Sequence, residues 1–319
     1  MSDSRDDAHR GSSVPHGFDD DAHSRFLRSR PPAPALAWAE AMLGAVVLRV
    51  RALKGGSSSA VHALRVSSRS DQDGEHTVIL RRYILPELNA EEPDIAKREA
   101  RALQFLDATA VVTPRLIAVD ANGTDAGAPT VLMSRVPGRV DWSPDDLDTW
   151  LRDLAGVLPD LHATPLTFGH RIADFRPYAP ESWEPPDWMR QRALWERALE
   201  VFRGPPLDPE RVFIHRDYHP GNVLWRRGRV TGVVDWQAAS IGPPSADVAW
   251  CRANLIGRFG LDIADRFTRM WEVISGRTYH PWAEIVMLVD VIGGPHERKR
   301  QEREDLERAL AQRLAELAP

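Results

Sequence analysis

Three side chains that carry oxygen atoms follow one another at a spacing that suits the transfer of a phosphoryl group. Asp217 is followed by Asn222 five residues later and by Asp235 thirteen residues after that. Transfer of a γ-phosphoryl group requires an oriented hydroxyl nucleophile and metal ions that neutralise the phosphates. A carboxylate can accept the hydroxyl proton, and carboxamide and carboxylate oxygens are ligands that suit Mg²⁺. The spacing predicts Asp217 as the catalytic base, with Asn222 and Asp235 as magnesium ligands.

The apolar pattern around these residues predicts short strands that hold them. Residues 212–214 and 223–225 are apolar runs on either side of the loop, and residues 230–234 lead directly into Asp235. A single Asp or Asn in a loop is more often a turn residue, because these side chains bond to nearby backbone. The combination of three such residues, with both candidate metal ligands at predicted strand ends, favours a site instead.

Two features upstream could bind phosphate. A glycine- and serine-rich run between two predicted strands can bring backbone N–H groups close to phosphate oxygens, and it comprises Gly55, Gly56, Ser57, Ser58 and Ser59. The next predicted strand, 77–83, contains Arg81, whose guanidinium can bind phosphate through two nitrogen atoms. The alternative for a strand arginine is exposure to solvent, which we expect for the adjacent Arg82 on the opposite face.

The segment 213–250 resembles the aminoglycoside phosphotransferase superfamily of small-molecule kinases. The resemblance is carried by I-H-R-D-Y-H-P-G-N at 214–222, V-V-D-W at 233–236 and G-P-P-S-A-D at 242–247, and it extends more weakly over about residues 38–300. It implies an α+β, bilobal protein-kinase-like fold with ATP bound in the cleft between the lobes. One departure is Arg216, where this superfamily more often carries glycine.

The resemblance also implies roles for residues of the N-terminal lobe. Residues 97–100 match the helix after the third strand, which makes Glu99 the expected ion-pair partner of Arg81. The predicted strand 129–135 ends at the hinge, where the backbone contacts adenine, and we place that hinge at Met133, Ser134 and Arg135.

Two further residues are expected to support the catalytic loop. His215 is expected to belong to the catalytic group with Asp217 and to support the loop through hydrogen bonds. The resemblance matches Asp247 to a buried acid that steadies the loop. For Asp247 the residues alone leave a second interpretation open, an acid in the first turn of a helix beside Ser245.

The predicted organisation has three parts. Residues 1–33 are expected to form a disordered arm, because the stretch 1–21 has almost no large apolar side chain. A small N-terminal lobe with an antiparallel sheet plus a helix is expected over 34–136, and a larger, mainly helical lobe over 137–319. Within the second lobe, Ser143 followed by Pro144 predicts the start of a helix that runs to about His162.

Bulk properties exclude several classes of protein. The chain has 319 residues, a net charge of −5 and a pI near 6.1, which argues against a nucleic-acid binder. A single cysteine, Cys251, excludes an intramolecular disulfide and is compatible with the cytoplasm. The absence of a long apolar stretch predicts no membrane association. The oligomeric state is not determined by these patterns.

The expected activity is an ATP- and Mg²⁺-dependent transfer of phosphate to a hydroxyl of a small molecule, with an aminoglycoside as the leading acceptor. A macrolide, choline, homoserine or a similar metabolite is an alternative acceptor, and a non-catalytic kinase-fold binding module is an alternative of another class. A protein substrate is disfavoured, because D-W-Q replaces D-F-G at residues 235–237. Only about ten residues then precede the next predicted helix, which leaves no room for an activation segment.

Overall fold

The computed structural model describes residues 22–54, 58–68, 74–107, 109–166, 171–180, 182–294 and 298–317. Within these ranges the chain forms two compact units. The sheet unit contains residues 22–138 and 232–238, and the helical unit contains residues 139–231 and 239–317. In these ranges no helix is both long and apolar enough to cross a bilayer.

The sheet unit is built on five antiparallel strands in the order β1-β2-β3-β5-β4. The strands are β1 Ala45–Ala52, β2 Ala60–Ser68, β3 Glu75–Arg82, β4 Leu116–Asp120 and β5 Thr130–Ser134. The helices described in this unit are α1 Ala22–Leu27, α2 Ala33–Leu43, α3 Pro86–Glu91 and α4 Ile95–Leu106.

Strand β3 lies at the centre of this sheet and separates two environments. It pairs with β2 on one side and β5 on the other, so that Arg81 is opposite Val61 and Val131. Successive side chains of a strand point to opposite faces. Leu80 is fully buried in the core that α2 forms with the sheet, and Arg81 therefore lies on the other face, where α4 supplies its partner.

Two predictions for this unit differ from the structure. Part of the expected disordered arm is helical, because α1 occupies Ala22–Leu27 and buries Leu27; residues 1–21 lie outside the described ranges. The prediction that Arg82 is exposed was wrong, since its side chain is buried and donates a 3.4 Å hydrogen bond to the Ala126 carbonyl. Helix α2 and the segment around Ala126 pack on the face that was expected to be solvated.

The helical unit combines six described helices with short strands. The helices are α5 Leu147–His162, α6 Arg192–Arg203, α7 Ser245–Phe259, α8 Leu261–Ser275, α9 Pro281–Gly293 and α10 Arg300–Glu316. Strands β6 Ala173–Asp174, β7 Val212–Ile214 and β10 Ser240–Gly242 form a sheet in the order β6-β10-β7. Strand β8 Val223–Arg226 follows a 3-10 turn, Pro220–Asn222, and pairs with β9 Arg229–Val233.

Helix α5 starts later than the sequence predicts. Its N-cap is Asp146, whose carboxylate accepts hydrogen bonds from the Thr149 backbone N–H at 3.0 Å and from the Thr149 hydroxyl at 2.7 Å. Ser143 lies in a preceding turn, where its N–H donates to Asp141. Asp satisfies an unpaired N–H of the first turn as well as Ser does, so two candidate caps three residues apart could not be separated by residue type.

A buried ionic cluster joins the helices of the C-terminal half. Arg252 of α7 is fully buried and donates to Glu284 of α9 at 2.9 Å and to Asp265 of α8 at 2.8 Å. Arg313 of α10 donates to the other oxygen of Glu284 at 2.5 Å. Burial opposes the charge on Arg252, but Glu284, Tyr279 and Asp265 together outweigh it and raise the pKa of Arg252 above its ordinary value.

Candidate active site

The sheet unit contains a cluster of charged and polar groups centred on Arg81. The guanidinium of Arg81 donates from Nη1 to Glu99 Oε1 at 2.8 Å and to Asp235 Oδ1 at 2.7 Å. Its Nε donates to Ser59 Oγ at 2.8 Å. The Tyr83 hydroxyl donates to the second oxygen of Glu99 at 2.8 Å. Arg81 and Glu99 are 5% and 1% exposed, so this network is almost entirely removed from water.

The charges of this cluster depend on one another. Burial raises the pKa of Glu99 above its ordinary value, and the positive charge of Arg81 opposes that rise. Burial likewise opposes the charge on Arg81, but Asp235 and Glu99 outweigh it and raise the pKa of Arg81 well above its ordinary value. The arginine is therefore a permanent cation between two carboxyl groups, and an unpaired charge at this depth would be costly.

The backbone around Asp235 is shaped to direct its side chain. Asp235 has φ +73°, in the left-handed region that Asp tolerates better than most residues. Three residues earlier, a Cβ on Gly232 would lie 2.6 Å from the Val112 carbonyl oxygen, a distance that only glycine allows. The next residue, Val233, donates its N–H to the same carbonyl at 2.9 Å. The close packing of Gly232 and Val233 against the Val112 carbonyl fixes the end of β9, and Asp235 then lies within hydrogen-bond distance of Arg81.

The helical unit contains the predicted catalytic loop, which begins directly after the buried strand β7. The Asn222 carboxamide donates from Nδ2 to the Asp217 carbonyl at 2.9 Å and to Asp217 Oδ2 at 3.1 Å. The Asp217 N–H donates to Nδ1 of the fully buried His215 at 3.2 Å. The Asp217 side chain is 25% exposed. The loop is thus bonded internally while its carboxylate remains accessible.

Asp247, in the first turn of α7, connects that helix to the catalytic loop. Its side chain is completely buried and accepts hydrogen bonds from the backbone N–H of His215 at 3.0 Å and of Arg216 at 2.6 Å. The ring of His162, the last residue of α5, lies with Nε2 3.0 Å from the same carboxylate. Because His215 and Arg216 belong to the loop, their hydrogen bonds to Asp247 are the contacts that a supporting role for Asp247 requires.

Arg216, the residue that departs from the superfamily pattern, adopts an unusual backbone conformation. Its φ is +68°, in the left-handed region where glycine is favoured. Its guanidinium stacks over the Tyr178 ring at 3.9 Å from the centroid and donates to the Arg176 carbonyl at 2.7 Å. The side chain therefore ties the segment around β6 to the catalytic loop, at the expense of a strained backbone.

We expect Arg216→Gly to be more stable than Arg216→Ala by about 0.5–1 kcal/mol. Both substitutions remove the guanidinium contacts. Alanine still has to adopt the unfavourable left-handed backbone conformation, whereas glycine adopts it without that cost. Glycine also increases the conformational entropy of the unfolded chain, which offsets only part of this advantage. Urea unfolding of the two variants measures the difference. An alanine variant as stable as the glycine variant would show that this backbone is not strained.

Comparison with known proteins places the chain in a family. A family model described as "Phosphotransferase enzyme family" matches residues 49–285, well over half of the chain. The chain belongs to the phosphotransferase enzyme family. This membership confirms the resemblance predicted from the motifs at 214–222, 233–236 and 242–247.

Two curated relatives of this family member are both N-acetylmuramate/N-acetylglucosamine kinases. The protein from Neisseria meningitidis is 36% identical over 85 residues, which cover 26% of this chain and 25% of the relative. The protein from Pseudomonas aeruginosa is 31% identical over 165 residues, which cover 45% of each chain. The chain therefore spans less than half the length of either relative.

Solved structures confirm the predicted α+β kinase-like fold of this phosphotransferase-family chain. A thermostable mutant of aminoglycoside phosphotransferase APH(4)-Ia, in ternary complex with ADP and hygromycin B, has a TM-score of 0.58 at 15% identity. That match covers 90% of this chain and all of the other. Macrolide 2'-phosphotransferase MphH from Brachybacterium faecium has a TM-score of 0.55 at 19% identity, covering 86% and 97% of the two chains.

The other predicted nucleotide-binding residues fall into two groups. Gly55, Gly56 and Ser57 lie outside the described residues, whereas Ser58 and Ser59 precede β2, and Ser59 contacts Arg81. At the predicted hinge, Met133 is buried in β5, Ser134 accepts a hydrogen bond from the Arg115 N–H at 2.8 Å, and Arg135 follows the strand. A hinge role for these three residues remains a prediction.

Several residues around the site were not foreseen from the sequence. Tyr83 could have been found, because it lies two residues after Arg81 and a strand places such residues on the same face. His162 and Tyr218 carried no usable signal. Tyr218 is fully buried and donates its hydroxyl to the Leu154 carbonyl of α5 at 2.7 Å, a contact between segments distant in sequence.

The donor atoms present are compatible with a magnesium ion. Because the Asn222 nitrogen is bonded to Asp217, the amide oxygen is the end of that side chain left to act as a cation ligand. In the sheet unit, the Asp235 carboxylate is 26% exposed. Mg²⁺ is commonly held by one or two protein oxygens together with water and substrate phosphates, and each of these two side chains offers an oxygen of that kind.

Proposed function

We propose that this protein is an ATP- and Mg²⁺-dependent small-molecule kinase. The observation that carries the proposal is the accessible Asp217 carboxylate, bonded to Asn222 in a loop that Asp247 secures. Asp217 accepts the proton of the acceptor hydroxyl as the new O–P bond forms at the γ-phosphorus. The bond between the β,γ-bridging oxygen and the γ-phosphorus breaks, and ADP leaves with that electron pair. His215 and Asp247 act by holding the loop.

The Arg81 cluster serves the nucleotide in this proposal. Arg81 contacts the phosphates, and Glu99 together with Tyr83 holds the guanidinium in place. The glycine- and serine-rich run 55–59 contributes backbone N–H groups, and the hinge 133–135 contacts adenine. Asn222 and Asp235 would hold Mg²⁺, which would neutralise phosphate charge. An ADP complex of a protein with the same fold supports a nucleotide substrate.

The acceptor class has two candidates. The sequence resemblance favours an aminoglycoside, and the fold is shared with a protein solved with hygromycin B. The kinases of N-acetylmuramate and N-acetylglucosamine among the relatives favour an N-acetylated amino sugar instead.

A phosphate-transfer screen tests the proposal and separates the acceptors. The protein is incubated with radiolabelled ATP, Mg²⁺ and one of hygromycin B, other aminoglycosides, N-acetylmuramate, N-acetylglucosamine, a macrolide, choline or homoserine. We expect label transfer to a sugar hydroxyl, with N-acetylmuramate ahead of the aminoglycosides. Nucleotide binding without transfer or slow ATP hydrolysis would instead indicate a kinase-fold binding module.

We expect Asp235→Asn to weaken nucleotide binding by about tenfold or more in the presence of Mg²⁺ and to have little effect in EDTA. The substitution removes an anionic oxygen ligand but keeps the size of the side chain, so the loss should require the cation. Calorimetric titration of ATP with and without Mg²⁺ measures both values. Equal losses under the two conditions would mean that Asp235 acts through Arg81 and not through a metal ion.

A further inference from the structure

The turn that follows His219 favours one tautomer of its imidazole. Its Nδ1 accepts a 3.0 Å hydrogen bond from the Gly221 N–H, which caps the 3-10 turn Pro220–Asn222. A backbone N–H can only donate, so Nδ1 must offer its lone pair. The neutral ring then carries its proton on Nε2. The Gly221 N–H thus determines that Nε2 is the nitrogen of His219 that can donate a hydrogen bond.

That donor nitrogen faces the catalytic carboxylate. His219 Nε2 lies 3.6 Å from Asp217 Oδ1, while the Asn222 amide is bonded to Asp217 Oδ2. A distance of 3.6 Å exceeds that of a formed hydrogen bond. Catalytic hydrogen bonds are often long without substrate and shorten when substrate binds. The two oxygens of Asp217 therefore have one N–H group directed at each of them.

The imidazole has little freedom to turn away. The indole of Trp142 stacks on it, with ring centroids 6.4 Å apart and planes inclined by 30°. The side chain of His219 is only 11% exposed. Together with the Gly221 hydrogen bond, this stacking restricts both rotation about the side-chain bonds and exchange of the two ring nitrogens.

We infer that His219 is a positioning residue for Asp217. Its Nε2–H donates to Asp217 Oδ1 in the substrate complex and, with Asn222 on Oδ2, keeps the carboxylate in the plane from which it accepts the acceptor's proton. The inference rests on the proposed kinase function. It assigns His219 two separable tasks, a cap through Nδ1 and a donor through Nε2.

Asparagine and glutamine separate the two tasks. In His219→Asn the amide oxygen takes the place of Nδ1, so the cap on Gly221 is kept and the donor to Asp217 is lost. In His219→Gln the amide nitrogen takes the place of Nε2, so the donor is kept and the cap is lost. A purely structural role and a positioning role therefore predict opposite orders of activity for the two variants.

Kinetics of phosphoryl transfer are measured for both variants with the best acceptor from the screen. We expect His219→Asn to lower kcat roughly tenfold with the KM for ATP unchanged within about twofold, as for loss of a group that orients a functional side chain. His219→Gln should stay within about threefold of the native kcat, although its Tm falls by roughly 2–4 °C because a cap is lost. An asparagine variant as active as the glutamine variant, or more active, overturns the inference.

A second readout requires no turnover. ¹⁵N NMR of the side-chain imidazoles identifies the nitrogen of His219 that carries the proton, and we expect Nε2. In Asp217→Ala the Nε2–H signal should shift, and in that background His219→Asn should reduce residual activity no further. A proton on Nδ1, or a signal indifferent to Asp217, overturns the inference even if the protein proves to be a kinase. Failure of the acceptor screen with the expected NMR result would remove the proposed function alone.

Discussion

Asp217→Ala is expected to reduce kcat for phosphoryl transfer by about a hundredfold to ten-thousandfold, the range for loss of a general base. The affinity for ATP and Mg²⁺ should change by no more than about twofold, because the proposed phosphate and metal contacts belong to other residues. The Asp217 side chain is 25% exposed, so its removal should leave Tm nearly unchanged. Steady-state kinetics, calorimetric binding of ATP and thermal unfolding measure the three quantities.

A matched control for this variant is Asp160→Ala, which removes an exposed carboxylate from α5 in the same unit. It should retain native kcat and native ATP affinity. If Asp217→Ala kept more than about a tenth of native transfer, the base would have to be another group and the proposed mechanism would be wrong. A loss of ATP binding in parallel with kcat would point to collapse of the loop instead.

Asp247→Ala is expected to lower the free energy of unfolding by about 3–5 kcal/mol and to abolish transfer even in the folded fraction. The substitution leaves the N–H groups of His215 and Arg216 buried without their acceptor, and it removes the group beside His162. Since those N–H groups define the start of the catalytic loop, the orientation of Asp217 should be lost as well. Urea unfolding and activity at low denaturant measure both effects.

Asp262→Ala is the control that decides between the two interpretations of Asp247. Asp262 is an exposed acid in the first turn of α8, where it can act only on the helix dipole. Its removal should cost about 0.3–1 kcal/mol and leave transfer intact. If Asp247→Ala were equally mild, Asp247 would be no more than a first-turn helix acid, and the loop would need another support.

Much of the fold follows from local pattern. The β-branched and aliphatic residues at 77–83 were sufficient to predict β3, and the motif around Asp217 predicted the loop and its flanking strands. Predictions failed where two residues offered the same local chemistry, as with Ser143 and Asp146 at the start of α5. They also failed where a distant segment covers a surface, as α2 does beside Arg82.

The amino-acid sequence by itself determined the family of this protein and the side chains of its candidate site. Those side chains are a carboxylate, a carboxamide and a second carboxylate at the spacing found in kinases. Only the tertiary structure decided which atoms of the expected supporting residues make contact, and only it showed that Arg81 also bonds to Asp235. Arg81 meets Asp235 across 154 positions of sequence, and Asp247 meets His215 across 32. Spacing along a chain encodes neighbours within a strand or helix, whereas partners brought together by packing leave no periodic signal, and their hydrogen bonds exist only once the chain has folded.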